Sequence, residues 1–549
     1  MSNLFELGQN TTVIKSINTQ NPFFWNGSLE PQALSREVLF AMLQNFSEPV
    51  ILIGNGGKLF LSDQLAISTI ESKWRVFGFS QPFSIESFGD PAFLKTYKLK
   101  YPLYGGAMAN AIASEEFVIS LGKAGFMGSF GAGGCAPARV EKAIHKIKEA
   151  LPDKPYAFNL INSPFEPAME QNTAELYLKH GIKVIEASAY LNVTKSLVRY
   201  RVSGLSQDID GNIVTGNHII AKLSRKEVAS KFLQPASDEI LNQLVSEGLV
   251  TELQAKLAKF VPIADDITVE ADSGGHTDNR PLIGILPAIM RLRDEIHEKY
   301  KYKTLVRIGA AGGIATPSSA LAAFMMGAAY ITTGSINQGC IEAGTSEHTR
   351  NLLALTEMTD VAMAPASDMF EMGVKVQVLK RGTMFAMRGQ KLYELYQRYN
   401  AIEEIPADER VKLETTIFKQ PLDTIWDECV RFFSERDPKQ IERANQKPKD
   451  KMALIFRWYL GLSSRWSNIG EIGREMDYQI WCGPAMGAFN DWARGSYLES
   501  AQNRSAPDIS LQLLRGAAYL NRIRILESQG VRFSTELSDY RPQKGLTKD

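Results

Sequence analysis

Beyond residue 100 the chain alternates between two textures. Short apolar runs, each with Gly, Ala, Asn or Ser at or near its end, fall at 101–109, 126–134, 156–163, 183–189, 218–224, 266–276, 305–313 and 330–336. Between most of them lie stretches with apolar residues three and four apart, at 110–124, 137–150, 167–180, 280–299 and 316–327. Runs of the first kind suit buried strands, and stretches of the second kind suit amphipathic helices. Their alternation predicts right-handed βαβ units on a parallel sheet. Eight such units close a TIM (β/α)8 barrel, an α/β fold. Two intervals are longer than the others. The first, 190–217, reads as an extended segment turned at Asp208-Ile209-Asp210-Gly211-Asn212; the second, 224–266, reads as an insertion with helical patterns at 224–246 and 249–260.

The flanks differ from this middle. Residues 1–100 hold strand-like runs at 49–54 and 74–79 and a helical pattern at 32–45, predicting a small N-terminal α/β extension. From 346 to 535 the spacing is mainly helical, with clear patterns at 387–399, 421–435, 450–461 and 507–529. That is more helix than a last barrel unit needs, so 346–535 is expected to form a helical domain or lid on a barrel of 101–345. The tail, SDYRPQKGLTKD, is polar.

Composition narrows the class. Among 549 residues, 61 acidic side chains balance 61 basic ones, which gives no electrostatic reason to expect nucleic acid as a partner. No apolar run approaches the roughly 18 residues of a membrane span, and MSNLFELGQNTTVIKSINTQ lacks the basic-then-apolar pattern of a signal peptide. Cys135, Cys340, Cys429 and Cys482 lie far apart with no CxxC pair, which argues against a disulfide framework or structural zinc. A cytoplasmic protein without bound metal is the expectation. There is also no GxGxxG after the first strand, no GxSxG elbow and no HExxH.

Glycines cluster where the proposed strands end, the face on which this fold binds ligands. Gly312-Gly313 ends the seventh strand and Gly334-Ser335 the eighth. Glycine there lets backbone N–H groups approach a phosphate, although each pair alone could simply make a tight turn. Two pairs at corresponding ends of adjacent strands favour the phosphate. Gly105-Gly106-Ala107-Met108 ends the first strand, either as a turn or as a surface for a flat cofactor, with Met108 over a ring face. Asn159, at the end of the third strand, could bond a ring or ribityl group. Lys222 ends the fifth strand among Ile219, Ile220, Ala221 and Leu223, apolar neighbours that make a merely solvated lysine the weaker reading. His276 follows the sixth strand after Gly274 and Gly275, which leave its surroundings open to a cofactor. A lone histidine is often structural; at a ligand face it is a candidate for proton transfer near neutral pH.

These residues carry a resemblance. Gly105-Gly106-Ala107-Met108-Ala109-Asn110, Gly131-Ala132-Gly133-Gly134, Asn159, Ser273-Gly274-Gly275-His276, Ala311-Gly312-Gly313-Ile314 and Gly327-Ala328 with Gly334-Ser335 resemble, in order and spacing, the nitronate monooxygenase and FMN-dependent enoyl-ACP reductase superfamily. The segments ADSGGHTDNRPL, APASDMFEMGVKVQVLKRGTMF and KLYELY are similar to its trans-acting enoyl reductases of polyunsaturated fatty acid and polyketide synthases. The resemblance implies FMN with its phosphate at Gly312, Gly313, Gly334 and Ser335, and its ring at Gly106, Ala107 and Met108 with Asn159 and Lys222 nearby. It further implies catalysis by His276, NADPH or NADH as hydride donor, an enoyl thioester on acyl carrier protein as substrate, and a homodimer. Relatives carry an acidic or amide residue several positions before Gly-Gly-His, a place assigned here to Glu270, and Asp272 stands where they often have Glu. The competing readings are a nitronate monooxygenase-like flavin oxidase and a non-catalytic FMN-containing scaffold protein.

Overall fold

The computed structural model describes residues 14–17, 21–164 and 166–545. Most of the N-terminal stretch read for a targeting pattern, and the last four residues of the polar tail, lie outside them. Eight parallel strands close into a barrel: β1 (Leu103–Gly105), β2 (Met127–Phe130), β3 (Ala157–Ile161), β4 (Val184–Ser188), β5 (His218–Leu223), β6 (Asp266–Glu270), β7 (Arg307–Ala311) and β8 (Ile331–Thr333). Each pairs with its chain neighbour, and β8 closes on β1 through Ile331 opposite Leu103. Helices on the outer face bury their apolar stripes against the strands, as in Pro137–Ala150 with Val140, Ala143, Ile144 and Ile147 turned inward.

The barrel interior is layered, because alternate residues of a strand face inward. Along β6 these are Asp266, Thr268 and Glu270. At the N-terminal end Asp266 takes a bidentate pair from Arg307 (Nε–Oδ1 2.6 Å, Nη2–Oδ2 2.7 Å) and a hydrogen bond from Tyr97. Tyr97 belongs to the helix Pro91–Tyr97, whose Phe93 stacks on Tyr330 and plugs this end. The plug therefore works as part of the barrel, although the residue-101 boundary placed it in the N-terminal extension. In the middle layer Thr268 joins the hydroxyls of Tyr104 (3.1 Å) and Tyr330 (2.9 Å). Glu270 lies in the upper layer, facing the ligand end.

Three expectations need correction. The 190–217 interval is not merely extended. The helix Lys195–Ser203 occupies it, capped by Thr194, before the antiparallel hairpin of Leu205–Gln207 and Ile213–Thr215. Lys195, Arg199 and Arg201 interrupt its apolar stripe, and Arg201 is buried only because it pairs with Asp265 at 2.7 Å. The single helical pattern at 224–246 is two helices, Lys226–Leu233 and Asp238–Ser246, broken around Pro235. The region after 345 is mainly helical but contains strands Val361–Pro365 and Lys375–Leu379, which join Gly275–His276 in an antiparallel three-stranded sheet. These strands pair with each other and, through Lys375–Leu379, with a loop far upstream and with 480–482 far downstream, partners that local periodicity does not reveal.

Residues 24–80 contain a six-stranded sheet beside the barrel, and the helix Ala506–Ser528 packs between the two. Its buried Arg522 donates to the carbonyls of Met42 (2.9 Å) and Asn45 (2.8 Å), fixing the C-terminal end of the helix Arg36–Gln44 beside that sheet. The four cysteines form no disulfide. No helix among the described residues is long and apolar enough to cross a membrane.

Candidate active site

A cavity of about 1070 Å³ opens at the C-terminal ends of the barrel strands. All the site residues named from the sequence line it: Gly106, Ala107, Met108, Asn159, Lys222, Gly274, Gly275, His276, Gly312, Gly313, Gly334 and Ser335. Its other wall comes from the helical C-terminal region, through Phe432 and Phe433 of the helix Leu422–Arg436 and Trp458, Leu462 and Arg465 of the helix Pro448–Ile469. Asn110 ties the walls together, its Nδ2 donating to Ser464 Oγ at 2.9 Å. The cavity stands at the upper end of the roughly 300–1,000 Å³ of a usual small-ligand pocket.

The floor is charged and buried. Register places Glu186 opposite Ile220 and Lys222 opposite Thr268. Glu186, Lys222 and Glu270 therefore step around the barrel by two residues per strand, all on the inward face. Lys222 Nζ lies 3.4 Å from Glu186 and 3.5 Å from Glu270. Burial disfavours its charge, but the two carboxylates outweigh that and hold it firmly protonated. Glu186 also accepts the Ala107 N–H at 3.0 Å, anchoring the small-residue turn after β1. Glu270 is pushed above the usual carboxylate range, chiefly by burial, with Lys222 opposing. Lys222 is thus bound to two partners, and Glu186 is a site residue that the sequence reading missed. Its signal was there: an acidic residue inside an apolar strand.

Asn159 differs in detail from expectation. Its amide nitrogen is committed to Glu186 O (3.0 Å) and Ser188 Oγ (2.8 Å), so its oxygen is the atom left for a ligand. Ser335 Oγ accepts Gly483 N–H at 3.1 Å and keeps its own proton to donate.

The turn bearing His276 is held from both sides. Gly275 and His276 pair with Gln377 and Val376, and Gln377 Nε2 donates to Asp272 Oδ1 (3.0 Å) and Ser273 O (2.9 Å). On the other side a Cβ at Gly274 would stand 2.9 Å from the Cys482 backbone, so only glycine allows this approach. His276 Nε2 lies 3.0 Å from Asp368 Oδ2, and Asp368 also lines the cavity. Burial works against the imidazolium, yet the charge and hydrogen bond of Asp368, then Glu270, raise the His276 pKa. The same pairing holds Asp368 below the carboxylate range against its own burial. Asp368 and Trp481, both missed by the sequence reading, reach the site only through tertiary pairing.

A closed parallel barrel with a glycine-lined cavity at its C-terminal face defines a TIM-barrel ligand-binding protein. The chain belongs to the nitronate monooxygenase family, whose profile matches residues 91–398. Residues 399–478 match the inserted helical domain of [acyl-carrier-protein] S-malonyltransferase. The chain is 48% identical over 455 residues to one of the polyunsaturated fatty acid synthase subunits of a Thraustochytrium species, covering 82% of this chain and 30% of that protein. It is 46% identical over 436 residues to the polyketide biosynthesis protein PksE of Bacillus subtilis, covering 79% and 56%. It thus spans only part of these longer relatives. Among solved structures, the enoyl reductase domain of MlnA from the macrolactin biosynthesis cluster of Bacillus amyloliquefaciens superposes with a TM-score of 0.77 at 40% identity, covering 80% of this chain and 99% of that one.

Proposed function

We propose that this protein is an FMN-dependent enoyl reductase that draws hydride from NADPH or NADH. Its substrates are enoyl thioesters presented in trans by acyl carrier protein during polyunsaturated fatty acid or polyketide assembly. The observation that carries this reading is His276 in a cavity with a glycine cradle on one wall and apolar helices on the other, in a chain 40% identical to an enoyl reductase domain. The match of 399–478 to a helical domain of an enzyme named for acyl carrier protein supports the carrier-bound substrate.

The cradle fits a flavin phosphate. A Cβ at Gly334 would meet nothing within 4 Å and its backbone is not left-handed, so the packing of this chain does not explain its small size, whereas Gly313 needs glycine for its own φ of +75°. Buried polar atoms of the lining residues Thr332, Gln338 and Trp481 lack partners within the described chain, as expected of a site completed by a polar ligand. When bound, FMN supplies the hydride chemistry. The backbone at Gly312, Gly313 and Gly334 with Ser335 would hold its phosphate, and Gly106, Ala107 and Met108 its ring. Phe432, Trp458 and Leu462 exclude water and offer an apolar bed to the acyl chain. His276 provides the proton for the α-carbon.

Two measurements bear on this. In stopped flow, the purified yellow protein should be bleached by NADPH and regain colour rapidly with a crotonyl thioester. Reoxidation by air as fast as by the thioester would instead support an oxidase, and a flavin never bleached by nicotinamide would support a scaffold. Second, Gly334→Ala should weaken FMN binding about tenfold or more, read by fluorescence titration. The urea midpoint of the flavin-free protein should move by no more than about 0.5 kcal/mol equivalent. Unchanged FMN affinity would remove Gly334 from the phosphate cradle.

A further inference from the structure

Asp368 lies 92 positions beyond His276 in sequence, outside the glycine motifs, yet the fold brings the two together with a specific geometry. Val361–Pro365 ends just before Asp368 and pairs with Lys375–Leu379, which in turn pairs with Gly275–His276. One small sheet therefore carries His276 and anchors the turn that holds Asp368. Its central strand is also bonded by 480–482, where Leu379 N donates to Ile480 O at 2.8 Å and Cys482 N to Gln377 O at 3.3 Å. The ladder holds His276 directly, and the turn bearing Asp368 is closed at its base by Ala366 N donating to Val374 O at 2.9 Å. His276 Nε2 is taken by Asp368, and no other hydrogen-bond partner of the ring exists among the described residues.

We infer that Asp368 is a positioning residue: it fixes His276 through Nε2 and leaves Nδ1 as the nitrogen that hands its proton into the cavity. The inference rests on the enoyl reductase reading for the fate of that proton. As hydride adds two electrons and a hydrogen at the β-carbon, the Nδ1–H bond breaks and the proton forms the new C–H bond at the α-carbon. The imidazole is left neutral and regains a proton from water. A carboxylate on the opposite nitrogen serves this step twice. It holds the ring in the orientation that presents Nδ1–H to the cavity, and it keeps the ring charged before the transfer. The other charged groups that bear on His276 are Glu270, which reinforces Asp368, and Lys222, which opposes it while paired to Glu186 and Glu270. Asp368 is therefore the dominant partner, and an asparagine in its place would keep the shape and lose the charge.

The test uses the flavin-loaded protein and the variants Asp368→Asn and Asp368→Glu. The rate of carbethoxylation of His276 by diethylpyrocarbonate is followed against pH by peptide mass spectrometry, which separates it from the other histidines. This reagent attacks only neutral imidazole and needs no enoyl substrate. In the native protein the half-point should lie above the ordinary value of about 6.5. In Asp368→Asn it should fall by about one unit or more, and Asp368→Glu should restore most of the shift. The basic limb of kcat with an enoyl thioester should move to lower pH by the same amount, with FMN content and the rate of flavin reduction by NADPH unchanged. An unmoved carbethoxylation half-point in Asp368→Asn overturns the inference, as does a lower kcat with an unshifted pH profile. Failure of the enoyl reductase reading would look different: the half-point would move while no variant, and not the native protein, reduced an enoyl thioester.

Discussion

Replacing His276 by alanine will lower enoyl-thioester reduction by about 10² to 10⁴-fold, the range expected for removal of a positioned general acid. The loss should appear in the oxidative half-reaction alone. Flavin reduction by NADPH does not require a proton from this side chain, and the proposed FMN contacts come from the barrel turns, not from the imidazole. The purified variant should therefore remain yellow and be bleached at the native rate, then fail to regain colour with a crotonyl thioester. Folding should be little affected, because His276 is half-buried at a cavity wall and its strand is held by backbone pairing with Val376 and Gln377. Native turnover in this variant would remove His276 from the chemistry and leave Glu270, with its raised pKa, as the remaining proton source on the floor.

The largest stability effect is expected at the opposite end of the barrel. Arg307→Met should cost about 3–5 kcal/mol, because it strands the fully buried Asp266 carboxylate without its bidentate partner. Urea unfolding of the variant against the native protein measures this directly. The loss should also depend on pH in a defined direction. Burial already pushes the Asp266 pKa up, and Arg307 is the main influence opposing it. Without the arginine, the folded-state pKa rises further above the unfolded value of about 3.9. A carboxyl of this kind is least destabilising when protonated, so the variant should recover toward the native protein as pH falls from about 8 to about 5. A deficit that stayed constant over that interval would mean that Asp266 is not the source of the loss. A double variant, Asp266→Asn with Arg307→Met, should regain part of the stability by removing the stranded charge.

The barrel was legible because its elements are local. Each strand is a short apolar run, each outer helix has an apolar stripe, and their alternation admits few topologies. The glycine turns were legible for the same reason, since a cradle for a ligand is written in a few consecutive residues at a strand end. Residues 190–217 were misread where basic side chains broke the stripe of the helix Lys195–Ser203. Arg201 can be buried there only because Asp265, some sixty positions away, neutralises it.

By itself, then, the sequence determined the eightfold α/β repeat, the ligand-binding face, and the placing of His276 and the glycines on that face. Tertiary structure alone decided what those residues meet. It stepped Glu186 and Glu270 to either side of Lys222 through the barrel register, and laid the helix Pro448–Ile469 across the cavity. It also brought Asp368 to His276 by a strand pairing that no local pattern announces. The physical reason is range. Apolar periodicity and turn chemistry act over a few residues, whereas charge pairing in a buried site depends on groups that only closure of the fold brings within hydrogen-bonding distance.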